Sequence, residues 1–287
     1  MWGGDRQVNG PLIRLCKNQR VVQKLVTLVP DLLIQIFVFA FGATIGSFLN
    51  VCIYRLPLKQ SIVSPPSACP VCGRRLPFYD NMPILSYIIL RGRCRGCGVS
   101  FSIRYLTVEV LTAIMAVAVY VAFGPTPESL VYFLFVSALI VITFIDLEYQ
   151  IIPDVISLPG IGVGLLASLF LVLPGVMNSL IGIIVGGGLL YLVATSYYLL
   201  TGREGMGGGD IKLLAMIGAF LGWKGVIVTI FAGSLVGAIL GSLLMAVKGR
   251  DSKYAIPFGP FLALGAVIYL FAGEDLIELY MAGLWHR

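Results

Sequence analysis

The chain has 287 residues, 58% of them hydrophobic and 12% charged, with a mean hydropathy of +0.95 and a net charge of +6. That is about half the charge of an average soluble protein, which excludes a single water-soluble globule. The basic excess lies in short loops beside apolar runs, where it reports membrane topology and not nucleic-acid binding.

In chain order, residues 1–31 form a basic N-terminal tail carrying Arg6, Arg14, Lys17, Arg20 and Lys24. The first apolar run, 32–54, is too long for the h-region of a cleavable signal, so it is expected to remain as the first transmembrane helix. Residues 55–104 break the pattern, being rich in Cys, Pro, Gly and Arg, and read as a small extramembrane domain. Further apolar runs at 106–123, 130–147, 155–173, 179–200, 210–222, 225–247 and 256–272 make residues 105–272 a seven-helix membrane core, followed by a C-terminal tail at 273–287. Most runs hold roughly 17 to 23 residues, enough to cross a ~30 Å hydrocarbon core at ~1.5 Å per residue. The run at 210–222 is short and Gly-rich. The expected fold class is an all-α polytopic membrane protein of about eight transmembrane helices with a small zinc-ribbon-like loop domain.

With eight spans, alternate loops fall on alternate faces. One face then receives thirteen Lys and Arg residues between Arg55 and Lys253, and the other, apart from the N-terminal tail, only Lys224 and Arg287. The positive-inside rule puts the Cys-rich domain in the cytoplasm and both termini outside, against the basic charges of the tail.

Cys69-Pro-Val-Cys72 and Cys94-Arg-Gly-Cys97 form two C-x2-C knuckles, close to the spacing of a four-cysteine zinc ribbon. Two thiolates three residues apart on a tight turn can occupy adjacent corners of a tetrahedron, and Gly73 and Gly98 permit the turn behind each. Zinc held by Cys69, Cys72, Cys94 and Cys97 would be structural, because four protein sulfurs leave no open position for water. Cys52, inside the first span, reads as a small buried hydrophobe.

Acidic residues are costly near a membrane core. Asp31 and Glu128 read as helix-start charges, Asp154 as an N-cap, and Glu109 as a partner for Arg104. Asp146 and Asp210 differ: Asp146 ends the third span, Asp210 opens the sixth behind Gly207-Gly208-Gly209, and the two spans between them return the chain to the same face. Two carboxylates held together cannot both ionise cheaply and titrate as a coupled dyad. That arrangement suits peptide hydrolysis, one member taking a proton from attacking water and the other donating to the carbonyl oxygen. Gly207 and Gly209 would let backbone approach the substrate and relieve crowding at Asp210.

With these residues in place, the chain resembles the type IV prepilin peptidase family, membrane aspartyl peptidases of the GxGD type. The likeness runs from about Gly42 to Trp223: Gly46-Ser47-Phe48-Leu49-Asn50-Val51, Tyr54-Arg55-Leu56-Pro57, the two knuckles with Asp80-Asn81-Met82-Pro83 and Leu85-Ser86-Tyr87 between them, then Arg104-Tyr105, Val108-Glu109, Asp146, Ile152-Pro153-Asp154 and Met206-Gly207-Gly208-Gly209-Asp210. A Leu106 stands where the family often has Pro. The resemblance implies a bifunctional enzyme of the bacterial inner membrane that cuts the basic leader from type IV prepilins or pseudopilins at the cytoplasmic face. It then N-methylates the new terminus with S-adenosylmethionine. Asp146 and Asp210 would be the peptidase dyad, and Gly92-Arg93, beside Cys94, would belong to methyl transfer. Nothing in the residues themselves resembles a Rossmann cofactor domain, so the methyl-donor site is expected in the Cys-rich loop and adjacent helix ends. The alternatives are a monofunctional prepilin peptidase and a cation transporter with a zinc-sensing loop.

Overall fold

The structure, a computed structural model, describes residues 11–170, 174–203, 207–248 and 257–285; the side chains of 11–30, 244–248 and 283–285 lie outside that description. Its helices are α1 (Pro11–Arg55), the short α2 (Leu85–Ile89), α3 (Ile103–Phe123), α4 (Pro127–Tyr149), α5 (Asp154–Phe170), α6 (Val176–Thr201), α7 (Gly208–Lys248) and α8 (Gly259–Trp285). Six of them are long and apolar enough to cross a membrane, and α5 is a shorter apolar helix. The chain is a helical membrane protein.

Local chemistry sets several boundaries. The Ser102 hydroxyl accepts the Arg104 N–H at the start of α3, and Thr126 accepts the Ser129 N–H at the start of α4, where Pro127 occupies the first turn. At the end of α4, Gln150 adopts the left-handed conformation and its N–H returns to the Asp146 carbonyl.

Over its described residues each expected span lies on a helix, 171–173 and 256 falling outside the description and α8 starting only at Gly259, with three further differences. Helix α1 begins at Pro11, so Asp31 sits inside a continuous helix and does not start one. Helix α8 continues past residue 272 to Trp285, carrying the helix into the segment read as a tail. The sixth and seventh runs share α7, whose 41 residues would extend ~60 Å as one helix, about twice a hydrocarbon core. The backbone breaks at Gly222 (φ 71°, ψ −179°), against Pro174 and Asn178, and thereby divides α7 into two helical segments.

Close approaches give the packing. Gly42 and Gly46 of α1 lie against Ala113 and Glu109 of α3, so these helices are antiparallel. Gly182 and Gly186 of α6 meet Gly218 and Leu214 in the first half of α7, again antiparallel, whereas Gly160 and Gly164 of α5 meet Met216 and Ala219 in parallel. In the second half of α7, Thr229 and Gly233 pack on Gly265 and Phe261 of α8. Helix α4 is the hub: 61% of its apolar window is buried, against at most 33% in the other spans. Phe135 of α4 stacks on Phe220 of α7 with ring centroids 4.5 Å apart. Phe37, Phe170, Leu199 and Leu200 stay exposed on the outer surface, as lipid-facing side chains do. This alternation brings the C-terminal ends of α1, α4 and α6 to the same end of the bundle as the N-terminal ends of α3, α5, α7 and α8.

Candidate functional site

Asp146 occupies the last turn of α4 and is buried, at 5% exposure. Its Oδ2 accepts the Gly259 backbone N–H at 3.0 Å, at the start of α8, where free N–H groups and the helix dipole favour an anion. A Cβ on Gly259 would fall 2.5 Å from that oxygen, so only glycine allows the approach. Ile152, between α4 and α5, lies against both Gly259 and Gly209. Asp210, next to Gly209 in the first turn of α7, is half-buried and near enough to Asp146 for the carboxylates to interact electrostatically. The structure therefore brings together the two aspartates singled out in the sequence. Of the two glycines expected to support them, Gly209 fits tightly, since a Cβ there would meet Ile152 at 2.8 Å, whereas Gly207 has open space around it. The sequence offers one signal for Gly259, its place between Phe258 and Pro260 at the head of the last apolar run, and that signal does not point to Asp146.

Salt bridges surround this end. Arg104 pairs with Glu148, and Lys212 Nζ lies 2.7 Å from Asp154 Oδ1. The Arg104 contact corrects the expected pairing with Glu109, which instead accepts the Ile84 N–H at 2.7 Å.

In the loop domain all four sulfurs of Cys69, Cys72, Cys94 and Cys97 lie within 4.8 Å of one another, with Cys69 to Cys97 at 3.8 Å and Cys72 to Cys94 at 4.0 Å. A tetrahedral site with Zn–S bonds of about 2.3 Å places its sulfurs about 3.8 Å apart, so the four cysteines can hold a metal ion. The knuckles are built alike. Gly73 (φ 67°) and Gly98 (φ 74°) return their N–H groups to the carbonyls of Cys69 and Cys94, each at 2.9 Å, and one isolated β-bridge closes each turn. Backbone N–H groups of Cys72 and Val71 bring the Cys69 thiol down to about 6, and those of Cys97 and Gly96 lower Cys94. The Val99 N–H pulls Cys97 the same way, but burial and the neighbouring sulfurs push it up to about 11. Buried Asp80 takes the Arg95 guanidinium in a two-pronged pair, Nε at 2.9 Å and Nη2 at 2.8 Å from Oδ1, and this raises Arg95 further above its ordinary value. The pair fastens the second knuckle to the segment between the knuckles.

Between this lobe and the paired ends of α1 and α3 lies a pocket of about 300 Å³, lined by Ser47, Asn50, Asp80, Gly92, Arg93 and Glu109 among others. Gly92 is buried at φ 65°, with the Tyr87 ring where a Cβ would stand, and Arg93 is exposed. Neither Asp146 nor Asp210 lines this pocket.

The fold and its acidic pair define a helical membrane protein with two carboxylates brought together at one end of the bundle, and comparison with known proteins narrows the class. The Bacterial Peptidase A24 N-terminal domain matches residues 40–123, and the Type IV leader peptidase family matches residues 133–242. A prepilin leader peptidase/N-methyltransferase of Aeromonas hydrophila is 37% identical over 85% of this chain and 92% of its own length. One from Xanthomonas campestris is 38% identical over 85% and 93%, and one from Myxococcus xanthus is 40% identical over 76% and 65%. No solved structure matches the chain. The chain belongs to the type IV leader peptidase family and is an enzyme.

Proposed function

We propose that the chain is an aspartyl endopeptidase that removes the basic leader of type IV prepilins or pseudopilins and then methylates the exposed amino terminus. The pairing of Asp146 and Asp210 at one end of the bundle, where Gly259 donates to Asp146, carries the peptidase reading. Asp146, already accepting a backbone N–H, is suited to hold charge and take a proton from attacking water. Asp210 then carries the shared proton and donates it to the scissile carbonyl oxygen. A prepilin can leave its hydrophobic helix in lipid while its leader reaches this end. The Lys and Arg asymmetry of the loops supports a cytoplasmic active site in the bacterial inner membrane.

Zinc suits the four cysteines and would tie the lobe together without an open coordination position. S-adenosylmethionine would supply the methyl group. The pocket under the lobe, with Gly92 and Arg93 in its wall and buried acceptors at Asn50 and Glu109, supports a separate place for that chemistry. Incubating detergent-solubilised protein with full-length prepilin and labelled S-adenosylmethionine, then reading the pilin terminus by mass spectrometry, tests both activities. Loss of the leader with one added methyl is expected; an untouched substrate in the presence of folded, metal-loaded protein rejects the reading and favours the cation transporter.

A further inference from the structure

Asn50 is 3% exposed, and its Nδ2 donates to the Tyr105 carbonyl at 3.0 Å, which fixes the direction of the amide. Its Oδ1 is then left buried without a hydrogen-bond partner, an expensive arrangement for a strong acceptor in a packed interior. Asn50 and Glu109 line the same pocket, as does Ser47, whose hydroxyl lies beside the Glu109 carboxylate. Glu109 is 9% exposed, and among the described residues no Lys or Arg nitrogen is paired with it. Among the described residues its backbone partner is the Ile84 N–H, which leaves acceptor capacity on the carboxylate. Arg55, also in the pocket wall, is occupied by the Ser61 and Pro65 carbonyls.

A buried carboxylate without a cation, next to a buried carbonyl oxygen without a donor, is a set of acceptors that lacks a positively charged donor. A primary ammonium supplies what is missing: one positive charge and three N–H bonds, small enough for a pocket of this volume. We propose that Glu109, Asn50 and Ser47 form a subsite for the primary ammonium of a methyl-transfer substrate, an inference that rests on the methyl-transfer reading above. Two molecules in that reaction carry such a group, the mature pilin at its new terminus and the methyl donor in its amino-acid portion. The subsite lies apart from Asp146 and Asp210, so its loss leaves leader cleavage intact.

The test uses the full-length, metal-loaded protein in detergent and calorimetric binding of two ligand pairs. One pair is a peptide with a mature pilin terminus, free or N-acetylated; the other is S-adenosylhomocysteine and its deaminated analogue. Wild type is expected to prefer the amine-bearing member of one pair by about ten- to a hundredfold. Glu109→Gln, which keeps an oxygen for the Ile84 N–H but removes the charge, abolishes that preference, while Glu109→Asp retains part of it. Should the Gln variant lose metal or leader cleavage, Asn50→Ala reads the same preference. Loss in the peptide pair assigns the subsite to the pilin, and loss in the donor pair assigns it to the methyl donor. A wild-type protein indifferent to the amine in both pairs, or variants that keep the preference unchanged, overturns the subsite. A protein that cleaves prepilin yet binds no member of either pair and adds no methyl refutes the methyl-transfer reading itself.

Discussion

The four sulfurs of the loop domain come from a stretch in which the outermost pair, Cys69 and Cys97, are 28 positions apart, and turns of a few residues set their geometry. The carboxylate pair draws on the last turn of α4, the first turn of α7 and, through Gly259, the first turn of α8, 113 positions beyond Asp146. A local site gets its geometry from turn chemistry and the bound ion, so it can form wherever the lobe is tethered. A site made of helix ends depends on every packed helix between them. The two should therefore fail independently, and each by its own route.

The largest effect tests that independence directly. Asp210→Asn keeps size and polarity but removes the second carboxyl function, and leader cleavage should fall by about a thousandfold or more, as expected for a lost acid–base group. Metal content and methylation of a pre-cleaved pilin should remain. Loss of both activities together would mean that the sites are one. The converse is Cys72→Ser: three sulfurs and a hydroxyl should hold zinc about a hundredfold or more weakly, measured by competition with a chromophoric chelator. Methyl transfer should fall with the metal while leader cleavage continues.

Gly259→Ala should rank next. The added methyl would meet Asp146 Oδ2 at 2.5 Å, within a buried contact that cannot open without moving α8 or the carboxylate. A displacement of this kind costs about a hundredfold in cleavage, read from initial rates at saturating prepilin, with little change in metal content.

The same contrast explains what the sequence made legible. The knuckles and the glycines behind them could be read because their geometry is local. The aspartates could be read because membrane alternation reduces three dimensions to a choice between two faces. Gly259 could not, since nothing short of packing α8 against α4 reveals that its N–H meets Asp146. Proximity in the chain points Glu109 to Arg104, but Arg104 pairs with Glu148 on another helix, a tertiary choice that spacing along α3 does not encode. The shared helix α7 escaped for a different reason. Hydropathy marks two apolar runs, yet the break at Gly222 needs only one residue, and no polar loop separates the two segments of α7.

A smaller effect sharpens the account of the lobe. Metal binding requires thiolates, and without metal Cys69 titrates at about 6 while Cys97 titrates at about 11. At pH 8 Cys69 has already lost its proton but Cys97 still holds one that the metal must displace, so zinc uptake should release protons into a weak buffer. Lowering the pH through 6 protonates Cys69 as well, and affinity should weaken about tenfold per pH unit for each proton displaced. A pH-independent affinity would show that fewer than four thiolates bind.

The smallest expected effect comes from the ion pair between Lys212 and Asp154, which bridges the first turns of α7 and α5 close to the dyad. Its side chains are 38% and 56% exposed, so water screens the attraction and the pair contributes only about 0.2–1 kcal/mol. Asp154→Asn should therefore shift thermal stability slightly and leave cleavage of a standard prepilin within about twofold, a change within that energy range. The position of the pair makes the measurement informative. If the dyad depends on packed helix ends, as the contact of Ile152 with Gly209 and Gly259 indicates, then an exposed bridge a turn away is dispensable. A drop in cleavage far beyond twofold, with the fold intact, would instead place Asp154 in contact with the basic leader. Raising ionic strength separates these outcomes: a structural bridge loses its small contribution in wild type alone, whereas a leader contact makes wild-type KM rise toward that of the variant while kcat holds.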